Sequence, residues 1–225
     1  MKTEKFAKLL LQWYQNNGRS YAWRGKNDPY AILIAEIMLQ RTRASQVEPV
    51  YLSFIEEFPT LKELNDASYK RIEKHFAKLG LIWRAGLVRS LAHELVTEFN
   101  GKVPDSAKQL LSLPGVGEYV ADAVLSSAYG RHVAAVDANV CRILGRIFNL
   151  KARGEARRDS KFKELAQKIL PRGRAKEFNW AMIDFGALVC APRKPACGTC
   201  PLSSICDYGK GRQGNSPALG ITQVG

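Results

Sequence analysis

The 225-residue chain lacks any uncharged run near the roughly 20 residues of a membrane span, since its longest apolar stretch, Tyr30 to Ala35, ends at Glu36. Its opening, MKTEKFAKLLLQWYQ, has neither the h-region nor the small-residue cleavage site of a signal peptide, so a soluble, cytoplasmic protein is expected. No amphipathic or lipidated anchor is visible, which removes the membrane as a partner. Strand signals are missing too: no hairpin dipeptide sits between alternating runs, and the β-branched residues are scattered. Histidine is scarce, and His75, His93 and His132 show no ligand or triad spacing. Acidic residues are in short supply, 21 Asp and Glu against 34 Lys and Arg. With 46% hydrophobic and 24% charged residues, wholesale disorder and fibrous repeats are excluded.

What remains is a basic, helical chain. The net charge of +13 favours a polyanionic partner. Over half of it falls in residues 151–176, where ten Lys and Arg face three acids, Glu155, Asp159 and Glu164. Apolar residues recur at helical spacing in Lys5–Asn16 (Phe6, Leu9, Leu10, Trp13), and again over about 44–58, 68–78, 84–99, 106–112 and 118–129. Asp28-Pro29 is a helix start, the aspartate as N-cap and the proline in the first turn, for a helix running to Leu39. Pro59, Gly80, Asn100-Gly101 and Pro104 break the pattern. The predicted fold class is all-α with short connections. The four tryptophans, at 13, 23, 83 and 180, read as packing residues. The glycine-rich residues 209–225 read as a flexible tail.

Three clusters carry chemistry. Four of the five cysteines form Cys190-x6-Cys197-x2-Cys200-x5-Cys206, and four thiolates so close in sequence suit a tetrahedral metal or an iron–sulfur cluster. Two disulfides compete, but a cytosolic chain has little need of them. Zinc competes as well, although zinc sites more often pair two close CxxC units, so the spacing favours [4Fe–4S]. Cys141 stands apart and reads as a small apolar core residue. Next, Leu113-Pro114-Gly115-Val116-Gly117 joins two helical stretches. Its glycines allow a tight turn whose N–H groups, with the next helix N-terminus, bind phosphate without reading sequence. Last, Asp137 lies in Val136-Asp137-Ala138-Asn139 ahead of a helix. A helix N-terminus favours negative charge, so capping and catalysis are compatible there.

L-P-G-V-G-x-Y, then V-D-A-N, then C-x6-C-x2-C-x5-C, in this order, resembles the helix-hairpin-helix DNA glycosylases that carry an iron–sulfur cluster. These are the relatives of endonuclease III and the A/G-mismatch adenine glycosylases, and the likeness covers about residues 5–208. The resemblance implies a two-domain fold. Residues 22–132 would form a helical barrel containing the hairpin, and residues 1–21 and 133–208 a cluster domain with a [4Fe–4S] cluster on Cys190, Cys197, Cys200 and Cys206. It also implies double-stranded DNA as partner, with the target nucleotide flipped out, in a nucleoid-associated protein if the source is prokaryotic. Endonuclease III-like enzymes have a lysine at the position of Tyr119, where it forms a Schiff base with the sugar. A tyrosine has no amine, which implies a monofunctional glycosylase. Glu36, in A-E-I-M-L-Q, matches a glutamate of the adenine and thymine glycosylases. Its apolar neighbours would favour a proton donor, with Asp137 as the anion that stabilises the sugar cation.

Leu-Gly-Leu at 79–81, Gln40-Arg41-Thr42, Asp137-Ala138-Asn139 and Ala191-Pro192-Arg193-Lys194-Pro195 look most like the G/T-mismatch thymine/uracil glycosylases. Adenine glycosylases usually have Tyr-Tyr where this chain has Leu81-Ile82, a Gln in place of Arg41, and a further C-terminal domain. The expected activity is release of thymine or uracil opposite guanine, with adenine release from A/G or A/8-oxoguanine pairs as the alternative. Expected DNA contacts are Gly115, Val116 and Gly117 at the backbone, Gln40, Arg41 and Leu81 near the flipped nucleotide, and Arg193 and Lys194 on phosphates. Tyr119 would line the base pocket. Two other classes stay open: a noncatalytic iron–sulfur DNA-binding module and a zinc-dependent RNA-binding protein. A monomer is expected, followed by an abasic-site endonuclease.

Overall fold

The computed structural model describes residues 2–213. Among them the regular elements are all helical, as the periodicity predicts. In chain order the helices are α1 (Lys2–Asn17), α2 (Pro29–Leu39), α3 (Ala44–Glu57), α4 (Leu61–Asp66), α5 (Tyr69–Ala77), α6 (Arg84–Thr97), α7 (Ala107–Ser112), α8 (Glu118–Ala128), α9 (Ala138–Phe148), α10 (Ser160–Ile169), α11 (Ala175–Leu188) and α12 (Asp207–Gln213). No helix among the described residues is long and apolar enough to cross a membrane. Contacts divide the chain into two units. One comprises Arg19–Ala135 and Leu170–Asn179, the other Met1–Gly18, Val136–Ile169 and Trp180–Gly225.

The first unit is built around α2. Asp28 caps it by accepting the Tyr30 N–H at 3.0 Å, with Pro29 in the first turn. Residues 30–38 are all buried, and a helix apolar on every side must be the centre of its unit. It packs on α3 and α8, while α6 packs on α4 and α5. Phe54, Phe58, Phe76 and His75 form an edge-to-face cluster beneath them. The short α4 was not predicted from periodicity, because six residues carry too little of it. Its signal is instead a capping box, in which Thr60 accepts the Glu63 N–H and Glu63 accepts the Thr60 N–H. Trp23 is a core residue, but Trp83 is not the packing residue expected. It lies 58% exposed, next to Ile82 at 50%.

In the second unit α9 buries Val140, Cys141, Ile143, Leu144 and Ile147 on one face and packs against α10 and α12. Phe6 of α1 meets Phe148 edge-on, and Trp13 meets Phe185. Lys2 binds the Ile147 carbonyl at 2.7 Å and Asp207 at 2.8 Å, tying α1 to the end of α9 and the start of α12. Cys141 is core, as read, and burial pushes its thiol up to about 11. Helix α12 extends to Gln213, into the stretch read as tail, and residues 214–225 lie outside the described residues.

Candidate active site

Asp137 is the N-cap of α9, in extended backbone, and both carboxylate oxygens are engaged. Oδ1 accepts the Val140 N–H at 2.8 Å, and Oδ2 accepts the Asn139 side-chain amide at 2.6 Å. Asn139 is fixed in turn, because its Oδ1 accepts an N–H of Arg142 at 2.7 Å. Arg142 also donates to the Gly186 carbonyl at 2.8 Å and the Cys190 carbonyl at 2.9 Å. A Cβ on Gly186 would stand 2.7 Å from the Asn139 Cβ, so only glycine in α11 lets α9 bring Asn139 in this close. The chain Asp137–Asn139–Arg142 therefore runs from the carboxylate to the first of the four clustered cysteines. Motif spacing predicts Asp137 but gives Asn139 and Arg142 no role. The helical three-residue step between the latter two was the available signal.

The four cysteines are free thiols, on the segment after α11 and its two 3-10 turns. Burial and the neighbouring thiols of Cys206, Cys190 and Cys197 push Cys200 up to about 11. Burial also holds Cys206 above the ordinary thiol value, with Cys190 and Cys197 adding to it. Donors are already aimed at two sulfurs: Arg146 at Cys190 Sγ, 3.4 Å, and the Gly209 N–H at Cys206 Sγ, 3.4 Å. Arg146 further clamps the carbonyls of Ala191 (2.7 Å) and Pro192 (2.8 Å) and lies over the Tyr208 ring. Among the described residues, no three His, Cys, Asp or Glu side chains are grouped to hold a metal ion. Arg193 and Lys194 are exposed on the same segment.

The other expected site residues belong to the first unit. Glu36 is buried at 6% exposure on α2, so the wet face that a helical glutamate would ordinarily keep is absent. Tyr119 is half-buried in the first turn of α8, against the unit's core. In the hairpin Gly115 has φ +77°, which explains the glycine, and Gly117 is the N-cap of α8 with open space where a Cβ would be. Val116 differs from its neighbours. Its side chain is buried and its N–H donates to the Leu113 carbonyl at 3.2 Å, so it holds the turn and has no N–H left for a phosphate. Gln40 and the hairpin are brought together, the Gln40 amide donating to the Gly115 carbonyl at 3.0 Å. Arg41 follows, exposed and at φ +60°. Leu81 is half-buried in the loop before α6. Glu36, Tyr119, Gln40, Arg41, Leu81 and the hairpin thus lie in one unit, and Asp137, the cysteines, Arg193 and Lys194 in the other.

Residues 34–172 match the model of a family described as HhH-GPD superfamily base excision DNA repair protein. The chain belongs to that superfamily. It is 35% identical over 208 residues to a thymine/uracil-DNA glycosylase of Methanothermobacter thermautotrophicus, covering 92% of this chain and 94% of the relative. An adenine DNA glycosylase of Buchnera aphidicola is also 35% identical, over 207 residues, but these span only 59% of it. Among solved structures, a thermostable thymine-DNA glycosylase superposes with a TM-score of 0.89 at 34% identity, covering 93% of this chain and 97% of the other. The helix-hairpin-helix superfamily expected from the three motifs and the all-α fold expected from helical periodicity are both established by these matches.

Proposed function

We propose that the chain is a monofunctional DNA glycosylase that removes thymine or uracil mispaired with guanine from duplex DNA. The observation that carries the chemistry is the Asp137 carboxylate, held on both oxygens at the start of α9. The substrate follows from similarity to a thymine/uracil-DNA glycosylase that covers 92% of this chain and 94% of the relative. The amides of Gly115 and Gly117 and the N-terminus of α8 bind a phosphate of the strand. With the target base extruded, its glycosidic bond breaks heterolytically and the bonding pair leaves with the base. Glu36 supplies a proton to the departing base, its burial favouring the neutral acid. Asp137 stabilises the cationic sugar and then takes the proton of the water whose oxygen bonds to C1′. Tyr119 lines the base pocket. Because it offers no amine for a Schiff base, the strand stays intact and an abasic site is the product. An abasic-site endonuclease must consume that product. The protein acts as a monomer in the cytoplasm, with the chromosome.

Cys190, Cys197, Cys200 and Cys206 hold a [4Fe–4S] cluster in this reading. The spacing of the four cysteines and the N–H donors on Cys190 and Cys206 support it. The cluster would staple the segment that presents Arg193 and Lys194 to DNA phosphates, and it takes no part in bond cleavage. A purified sample should be brown, absorb near about 400 nm and contain about four irons per chain, whereas a zinc protein would be colourless.

Single-turnover base release from duplexes containing G/T, G/U, A/G and A/8-oxoguanine tests the proposal. Thymine and uracil should leave, with strand breaks only after alkali, and Asp137→Asn should bind the same duplexes without releasing a base. Adenine release would transfer the assignment to the adenine glycosylases. No release by the wild-type protein, with binding intact, would make it a noncatalytic DNA-binding module.

A further inference from the structure

Arg84 is the largest fully buried side chain among the described residues, at 1% exposure, and it has no place in the chemistry above. Its guanidinium donates to the carbonyls of Ile37 at 3.1 Å and Met38 at 3.3 Å, and to that of Gln40. These are carbonyls that the end of α2 leaves without intrahelical partners, and a cation there also meets the negative end of the helix dipole. Burial lowers the Arg84 pKa, and the nearby Arg41 lowers it further. Its Nε is buried without a hydrogen-bond partner. A capped helix end needs none of this expense, since water or a short polar side chain would serve.

What the fork accomplishes is a junction. Arg84 begins α6 and closes the loop 79–84, where its own N–H donates to the Leu81 carbonyl at 2.9 Å. Its guanidinium carbon also lies 5.4 Å from the centre of the exposed Trp83 ring. On the other side it grips Gln40, whose carbonyl precedes Arg41 in a left-handed conformation that is unfavourable for a side-chain-bearing residue. Gln40 in turn reaches the hairpin through Gly115. One buried fork thus joins the 40–41 turn to the loop of Leu81, Ile82 and Trp83, and Gln40 extends the connection to the hairpin.

We propose that Arg84 is a positioning residue that latches the Gln40–Arg41 turn to the Leu81–Trp83 loop, so that the two move as one body against the duplex when the nucleotide is extruded. This rests on the reading of the chain as a base-flipping glycosylase. Extrusion works against stacking and pairing, and loops that yield under that load let the base return. The latch therefore acts on the extruded population and not on bond cleavage. It matters most when the base must be pulled from a pair and least when the base already lacks one.

The test compares single-turnover uracil release from a G/U duplex with release from a duplex carrying uracil opposite a tetrahydrofuran abasic analogue, in wild type, Arg84→Met and Arg84→Lys. The ratio of the two rates does not depend on how much of a variant is folded. It should fall by about tenfold to a hundredfold in Arg84→Met, the scale of a small misplacement of a site. Arg84→Lys keeps the charge but loses the fork, and should fall between. 2-Aminopurine beside the uracil should brighten on binding to wild type and less in Arg84→Met. If Arg84→Met does not fold, the ratio in Arg84→Lys decides alone. A ratio unchanged in the folded variants overturns the latch while leaving the glycosylase reading intact. Failure of wild type to release uracil from either duplex overturns that reading and the latch with it.

Discussion

Asp137 is aimed before any substrate arrives, because the Val140 N–H and the Asn139 amide each fix one oxygen. In the proposed mechanism a carboxylate left to rotate would present its charge to the sugar only part of the time, so much of its effect would reside in its partners. A second engaged carboxylate, Glu57, does different work. The ring N–H of the buried His75 lies 2.8 Å from it and Arg71 lies 2.9 Å from it, and the His75 hydrogen bond above all holds its pKa below the ordinary value of 4.5. A carboxyl whose folded pKa is depressed stabilises the fold above its unfolded pKa, and that contribution disappears as pH falls through the folded value. Melting temperature should therefore decline on acidification below about pH 4.5, and Glu57→Gln should lack that part of the decline. A Glu57→Gln profile parallel to wild type throughout the acid range would show that the contact contributes no stability.

Most elements were legible because helical periodicity survives wherever a helix is long and one-sided, as in α9. Asp28-Pro29 marked the start of α2 and Gly80 the turn between α5 and α6, through chemistry that a single sequence displays. What periodicity misses is set by neighbours distant in sequence. Helix α4 is too short to show a face, the exposure of Trp83 depends on nothing packing over it, and the engagement of Val116 N–H depends on where Leu113 turns. In the site, motifs exposed Asp137 and the cysteines, yet the Asn139–Arg142 support is visible only when α11 is laid against α9. That packing is itself testable. In Gly186→Ala the new methyl would begin 2.7 Å from the Asn139 Cβ, closer than real Cβ contacts come, so one of the two helices must shift. Such overpacking costs typically about 1–3 kcal/mol. Base release should fall further than the loss of folded protein explains, because Asn139 carries Asp137 with it. A variant with reduced stability and wild-type release per folded molecule would uncouple Gly186 from the site.

Across the whole molecule the excess of positive charge is arranged rather than diffuse. In the basic stretch two of the three acids are spent locally: Glu155 pairs with Arg157 and Arg158, and Asp159 accepts the amides of Arg153 (3.0 Å) and Lys161 (3.2 Å). The side chains of Lys151, Arg153 and Lys161 remain exposed, free to meet phosphates as the acids nearby are turned to the backbone and to other arginines. Phosphate contacts release condensed counterions, so the logarithm of DNA affinity should fall linearly with the logarithm of salt concentration, by about 0.9 per phosphate neutralised. Replacing Lys151, Arg153 and Lys161 together by Gln should make that slope shallower by about 2 to 3, if each contacts one phosphate. Base release at saturating protein should stay near the wild-type rate, because phosphate contacts position duplex of any sequence and touch no reacting atom. An unchanged slope would mean that the stretch faces solvent in the complex, and that the charge which holds DNA must be sought on the hairpin unit and the Arg193–Lys194 segment instead.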